Sequence, residues 1–138
     1  MKTKWTQFMD MASGGGTKEK NYSYIYIEAP EQEAKVIFYN RFGHSPDRVS
    51  CTCCGSDYSI TESDSLEEAT AYNRGCAYSE KLKKWVDEPD TEKYAKKYLT
   101  LPQYIKDEGD SILIVRADDI KASERVGEVP EQGYVWQN

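Results

Sequence analysis

Histidine is almost missing from this 138-residue chain, which has a single copy at His44. The patterns that catalysis is commonly built on are missing too: there is no G-x-S-x-G nucleophile turn, no H-x-x-x-H metal pair, and no H-x-E with a P-C-x-x-C partner. An enzyme is therefore the less favoured class. No stretch approaches the roughly 18–20 consecutive apolar residues of a membrane span. The opening MKTKWTQFMD lacks the apolar centre of a signal peptide, so the expected location is the cytosol, with no membrane partner. Cysteine is scarce and unevenly spread, with Cys51, Cys53 and Cys54 crowding one loop and Cys76 standing alone. A secreted disulfide framework spreads its cysteines more evenly, which leaves reduced thiols or metal ligation. A basic excess is absent as well. Against 24 acidic residues stand 18 basic ones, and a net charge of −6 disfavours binding to a phosphate backbone, so nucleic acid is not an expected partner. Acidic clusters such as Glu62–Asp64 and Asp87–Asp90 are interrupted by basic segments such as Lys81–Lys84, the mark of a solvated surface more than of a DNA mimic. Internal repeats and low-complexity tracts are also lacking.

What remains is a chain of one-domain size, residues 1–138, with modest hydrophobic content and eleven tyrosines beside three tryptophans. Lys4–Met11 alternates, with Trp5, Gln7, Met9 and Met11 on one face and Thr6, Phe8 and Asp10 on the other. Asn21–Glu28 alternates too, Tyr22, Tyr24 and Tyr26 against Ser23, Ile25 and Ile27, and Ser13-Gly14-Gly15-Gly16-Thr17 links the two strands as a long hairpin tip. Pro30 opens a helix whose Ala34, Ile37, Phe38 and Phe42 recur at helical spacing, and Gly43 stops it. Val49–Cys51 and Tyr58–Ile60 are short strand candidates. Ser65-Leu66-Glu67-Glu68 is a capping box opening a second helix that Gly75 ends. Further on, Glu80–Val86 and Thr91–Leu99 are expected to be helical. Ser111–Arg116 is expected as a central strand, and Tyr134-Val135-Trp136 as a strand fragment. These patterns predict an α+β domain: an antiparallel sheet from Lys4–Met11, Asn21–Glu28, Tyr58–Ile60 and Ser111–Arg116, backed by helices over Glu31–Phe42 and Ser65–Arg74. Residues 4–75 are the better-patterned part.

Two constellations bear on chemistry. Consecutive glycines let backbone amides approach an anion closely, and Lys18 and Lys20 add charge, which is the physics of a phosphate nest. The alternative is a plain flexible hairpin tip; a Walker A loop is excluded, since no Gly-Lys-Ser/Thr follows and the next element is a strand. The candidate ligand-binding residues are Trp5, Gln7, Asp10, Ser13, Gly14, Gly15, Gly16, Thr17, Lys18 and Tyr24. Cys51, Cys53, Cys76 and His44 are the second set, as ligands of a zinc ion, although the spacing departs from a zinc knuckle. Their alternatives are buried thiols packed as small apolar groups, or a cysteine nucleophile with His44 as base.

The stretch W-T-Q-F-M-D-M-A-S-G-G-G-T-K from Trp5 to Lys18, the tyrosine/isoleucine strand, E-A-P-E and the R-F-G and C-T-C-C-G-x-D-Y-S blocks together resemble a family of small uncharacterised tailed-bacteriophage proteins. The resemblance covers about residues 4–75 and brings no assigned activity. It implies a setting, the cytoplasm of an infected bacterial host, in which small accessory proteins act as antagonists of host immunity. The expected function is then counter-defence: sequestration of a nucleotide-derived immune signal by the glycine-rich loop and the tyrosine-rich face, with rings stacking on a base. The alternative is a protein-interaction module, with or without a stabilising zinc, that inhibits a host defence protein. A phage structural role is less favoured, because the chain has no coiled-coil or repeat signature.

Overall fold

The computed structural model describes residues 4–11, 17–19, 22–49, 55–74, 76–79, 81, 84–87 and 100–129. In chain order its elements are β1 (Trp5–Asp10), β2 (Tyr24–Ile27), α1 (Glu31–Phe42), β3 (Tyr58–Ser63), α2 (Leu66–Ala71), β4 (Cys76–Ser79), β5 (Lys84–Asp87), α3 (Leu101–Glu108) and β6 (Ile112–Val115). The architecture is α+β, as the patterning predicts. A four-stranded sheet in the order β3-β1-β2-β6 is built from the four segments expected to form it.

β1 pairs antiparallel with β2, Phe8 opposite Ile25 and Gln7 opposite Tyr26, and antiparallel with β3, Asp10 opposite Tyr58. β6 runs parallel to β2, with Ile25 opposite Leu113, so the sheet is mixed where an antiparallel one was expected. β6 also lies at an edge and not in the middle. Its apolar run Ile-Leu-Ile-Val has another cause: both faces of the sheet are covered. On one face Phe8, Ile25, Ile27 and Val115 pack with Ala34, Ile37 and Phe38 of α1 and with Ile120. On the other, Trp5, Tyr26 and Ile112 pack with Leu66 and Ala69 of α2 and Tyr104 of α3. A strand buried on both faces reads as continuously apolar wherever it sits in the sheet.

α1 begins after Pro30, which occupies the N-cap, and stops at Gly43, whose φ of 81° only glycine adopts cheaply and whose N–H donates to the Tyr39 carbonyl. α2 starts at Ser65, whose hydroxyl accepts from the Glu68 amide, while the Glu68 carboxylate reaches back one residue further to the Asp64 amide. The helix expected over Glu80–Val86 is instead the hairpin β4–β5, Tyr78 opposite Trp85 and Ala77 opposite Val86. Aromatic and β-branched residues at these positions favour an extended backbone over a short helix. Val49 makes a single bridge. Thr91–Leu99 and Tyr134–Trp136 lie outside the described residues, and among those described no helix is long and apolar enough to cross a membrane.

After β6 the chain folds back over α1 and is strapped to it. The Arg41 guanidinium grips both oxygens of Glu124 at 2.9 and 3.0 Å, Asn40 donates to the Glu124 and Val126 carbonyls, and Arg125 pairs with Glu33. The Arg41 hydrogen bond, aided by the Lys121 amide, holds the Glu124 carboxyl below its ordinary 4.5. A lowered carboxyl adds stability that is fully present above the ordinary value and is lost as pH falls through the lowered one. Wild type is therefore expected to lose unfolding free energy below pH 4.5 more steeply than Glu124→Gln, in urea titrations run across that range.

Candidate functional site

β1 runs out, and β2 and β3 begin, at the same end of the sheet where α1 finishes. Loops there are stitched to the strands: the Asp10 amide donates to the Ser23 carbonyl, Met11 to Asp57, and Ser23 to Ser111. The segment carrying the glycine run leaves the sheet at Asp10 and is tied on its return, where the Lys18 amide donates to Asp10 Oδ2 at 2.7 Å. Ser13, Gly14, Gly15 and Gly16 themselves lie outside the described residues. Asp10, Thr17 and Lys18 are thus brought together, Thr17 exposed and Lys18 half-buried.

A second tie follows at once. Glu19 Oε1 lies 2.9 Å from His44 Nε2, so the histidine that follows the helix-ending Gly43 anchors the same return segment. A carboxylate oxygen only accepts, which puts the ring proton on Nε2 and, in the neutral ring, leaves Nδ1 as an acceptor. Nδ1 is buried and has no partner. Beside His44 lies Tyr58, their rings nearly parallel at 6.5 Å, and both press on Phe38 at 5.5 and 5.0 Å. Tyr58 is 2% exposed, and its hydroxyl is buried next to the Asp10 carboxylate. Burial, followed by the charges of Asp10 and Glu19 and a hydrogen bond to Asp10, holds that hydroxyl well above the ordinary range of a phenol, so it stays a proton donor. Among the described residues, His44 Nδ1 is thus the atom of this cluster left buried without a partner. Next to Tyr58 in the chain, Asp57 is held by Arg48: the guanidinium donates to Asp57 Oδ2 at 3.1 Å, and the Asp57 amide donates to the Arg48 carbonyl at 2.7 Å.

The other expected ligand residues stand elsewhere. Trp5 is buried in the core of the α2/α3 face, with the Arg116 guanidinium 5.8 Å from its ring centre. Gln7 Oε1 accepts from Asn73, whose amide also donates to the Tyr26 hydroxyl, and that hydroxyl lies 3.0 Å from Tyr104. Tyr24 is half-buried, its ring stacked toward Tyr26 at 6.3 Å. The tyrosines do not share a face as their alternation suggests: a bend at Ser23 turns Tyr22 onto the α1 side, while Tyr24 and Tyr26 stay on the other. Tyr26 is wholly buried, and desolvation pushes its hydroxyl up to about 12, so it serves the core and not a ligand face.

Of the expected zinc ligands, Cys51 and Cys53 lie outside the described residues, Cys76 begins β4, and His44 is engaged by Glu19. Among the described residues no three metal-binding side chains gather at one point. Glu19, Arg48, Asp57 and Tyr58 were not legible as site residues, because each is drawn in by a contact remote in sequence; a carboxylate between Lys18 and Lys20 was the one local hint. Family profiles, curated proteins and solved structures yield no match to this chain.

Proposed function

We propose that this protein binds a small nucleotide-derived molecule at the end of the sheet where the glycine-bearing segment is tied down, and that it works by sequestration. In the setting that its resemblance to tailed-bacteriophage proteins suggests, the ligand is an immune signal of the infected host and the role is counter-defence. The observation that carries the reading is a buried polar atom without a partner, His44 Nδ1, in the cluster that the Lys18 and Glu19 ties close. A buried polar group left unpaired costs about 1–3 kcal/mol. A ligand's own donor would supply the partner that His44 Nδ1 lacks. The carboxylates of Asp10 and Glu19 beside His44 and Tyr58 repel phosphate, so sugar or base belongs here. Phosphate suits the side-chain-free amides of Gly14–Gly16 and the charge of Lys18.

A second reading is favoured by one observation. Tyr72 is 81% exposed just past α2, beside the exposed Glu67 and Glu68, and exposed tyrosines are common interface anchors. On this reading the chain docks on and inhibits a host defence protein.

Native mass spectrometry of the protein purified from a bacterium with a nucleotide-signalling defence system separates the two. A non-covalent mass of a few hundred daltons, lost on denaturation, is the expected result. At a hundredfold excess over Kd, added ligand stabilises a folded site by about 2.7 kcal/mol, which thermal unfolding reads directly. A bare chain with no thermal shift across a nucleotide panel turns the function toward a protein target.

A further inference from the structure

We propose that β6 is a self-pairing edge: two copies of this chain associate by laying Ile112–Val115 antiparallel across a twofold axis, so that one sheet continues through both. β6 closes one side of the sheet, and among the described residues no strand lies beyond it. Two contacts on its inner side fix the direction of its backbone groups. Ser111 and Val115 turn their carbonyls toward β2, where these accept from the Ser23 and Glu28 amides. Alternate residues of a strand address opposite neighbours, so Leu113 addresses β2 as well, while Ile112 and Ile114 turn amide and carbonyl outward.

Natural sheets blunt such an edge with charge, proline or a bulge. The opposite edge is blunted in this way: β3 exposes Ser59, Thr61 and Glu62, and the Glu62 carboxylate accepts from the Glu31 amide at the start of α1. β6 carries only Ile-Leu-Ile-Val. Leu113 and Ile114 are half-buried, one on each face of the sheet, so the edge keeps apolar surface on both sides of its outward backbone groups. A strand of the same kind completes all of this at once.

Charge selects the occupant and the register. Asp110 precedes the strand and Arg116 follows it, and both are exposed. An antiparallel second copy therefore meets acid with base at both ends. Symmetry of charge about a central residue is what a strand needs to pair with itself; a foreign strand needs none. A twofold axis normal to the sheet must pass through a residue, because facing residues share a face. Centred on Leu113, it sets Ile112 opposite Ile114 of the second copy in a hydrogen-bonded pair and the two Leu113 side chains together at the closer, non-hydrogen-bonded spacing. Asp110 then faces Arg116 of the second copy, whose exposed side chain turns from its place 5.8 Å from the Trp5 ring to reach it. Centring on Ile114 opposes Asp110 with Asp118 and Ile112 with Arg116, and centring on Ile112 opposes Asp110 with Ile114. Those registers set like charges or a charge and an aliphatic side chain together.

Analytical ultracentrifugation of the purified full-length chain is expected to show a reversible dimer forming across the micromolar range, as suits a small contact. Asp110→Arg and Arg116→Asp are each expected to weaken dimerisation by about tenfold, and the double reversal to restore it. Both residues are exposed, so these variants keep the fold. Ile114→Pro is expected to abolish association; the amide it removes faces outward, so pairing with β2 survives, and far-UV circular dichroism checks that it does. Hydrogen exchange followed by NMR is expected to slow at the Ile112 and Ile114 amides as the concentration rises.

A monomer at every concentration overturns the inference and leaves the edge to an extended segment of another protein. A dimer whose Ile112 and Ile114 amides exchange no more slowly than in the monomer, or whose affinity ignores both single charge reversals, overturns it as well, because the copies then meet elsewhere.

Discussion

Phe38→Ala is expected to lower the unfolding free energy by about 3–5 kcal/mol, a large share of the roughly 5–15 kcal/mol that a domain possesses. The ring is wholly buried, and four aromatic neighbours surround it: Phe8 at 4.9 Å, Phe42 at 4.8 Å, Tyr58 at 5.0 Å and His44 at 5.5 Å. Alanine leaves a cavity that neighbours on α1, β1 and β3 cannot jointly close, because each is held by its own backbone pairing. Urea denaturation at neutral pH checks the loss as a lower midpoint at unchanged m value. Phe38 is also the common support of His44 and Tyr58, so ligand affinity should fall in the same variant, although it touches the site only through them. A midpoint within experimental scatter of wild type would mean that the aromatic cluster is not the core of the sheet's α1 face.

The elements that reached this result were unequally legible. β1 and β2 were plain because alternation of two residue classes over Trp5–Asp10 and Tyr24–Ile27 has one structural solution, a strand with two distinct faces. α1 was equally plain, since Pro30 and Gly43 mark its ends by backbone restriction and not by preference. Strand direction is different in kind. Whether β6 runs with β2 or against it is set by the route of the chain through α3, and Ile112–Val115 reads the same either way. The hairpin β4–β5 was missed because Lys81–Lys84 has helix-compatible charge and the deciding signal, Trp85 and Val86, is two residues long.

The site was legible in part, and for the same reason. Asp10, Lys18 and His44 stood out by type, being a strand-end carboxylate, a lysine after a glycine run and the single histidine. Their assembly depends on Glu19 meeting His44 across 25 positions and on the Tyr58 ring lying beside that of His44. Burial of Tyr58 beside Asp10 is a tertiary fact with no sequence signature: Tyr22 and Tyr24 look the same in the chain. Backbone pairing of the strands holds the cluster from one side and the end of α1 from the other, which keeps His44 and Tyr58 in fixed positions.

Arg48→Ala is expected to cost about 3 kcal/mol, and the asymmetry of the pair it breaks explains why. The Asp57 side chain is 0% exposed, whereas Arg48 keeps 29% of its own surface. Removing Asp57 frees a guanidinium that water can still reach. Removing Arg48 takes the cation from a buried carboxylate that water does not reach, and a buried charge that has lost its cation is the more expensive remnant. Asp57→Ala should therefore be the milder single substitution, and the double variant should be more stable than the sum of the two predicts, by about 1 kcal/mol or more. Urea unfolding of the four proteins closes the cycle. Equal losses in both single variants with simple additivity would mean that the two charges are solvated independently, and that the Asp57 carboxylate is held by its other contacts and not by Arg48. The expected coupling would instead make this pair the fixed point that precedes Tyr58 in the chain, in which case Arg48→Ala also loosens the cluster that the proposed ligand meets.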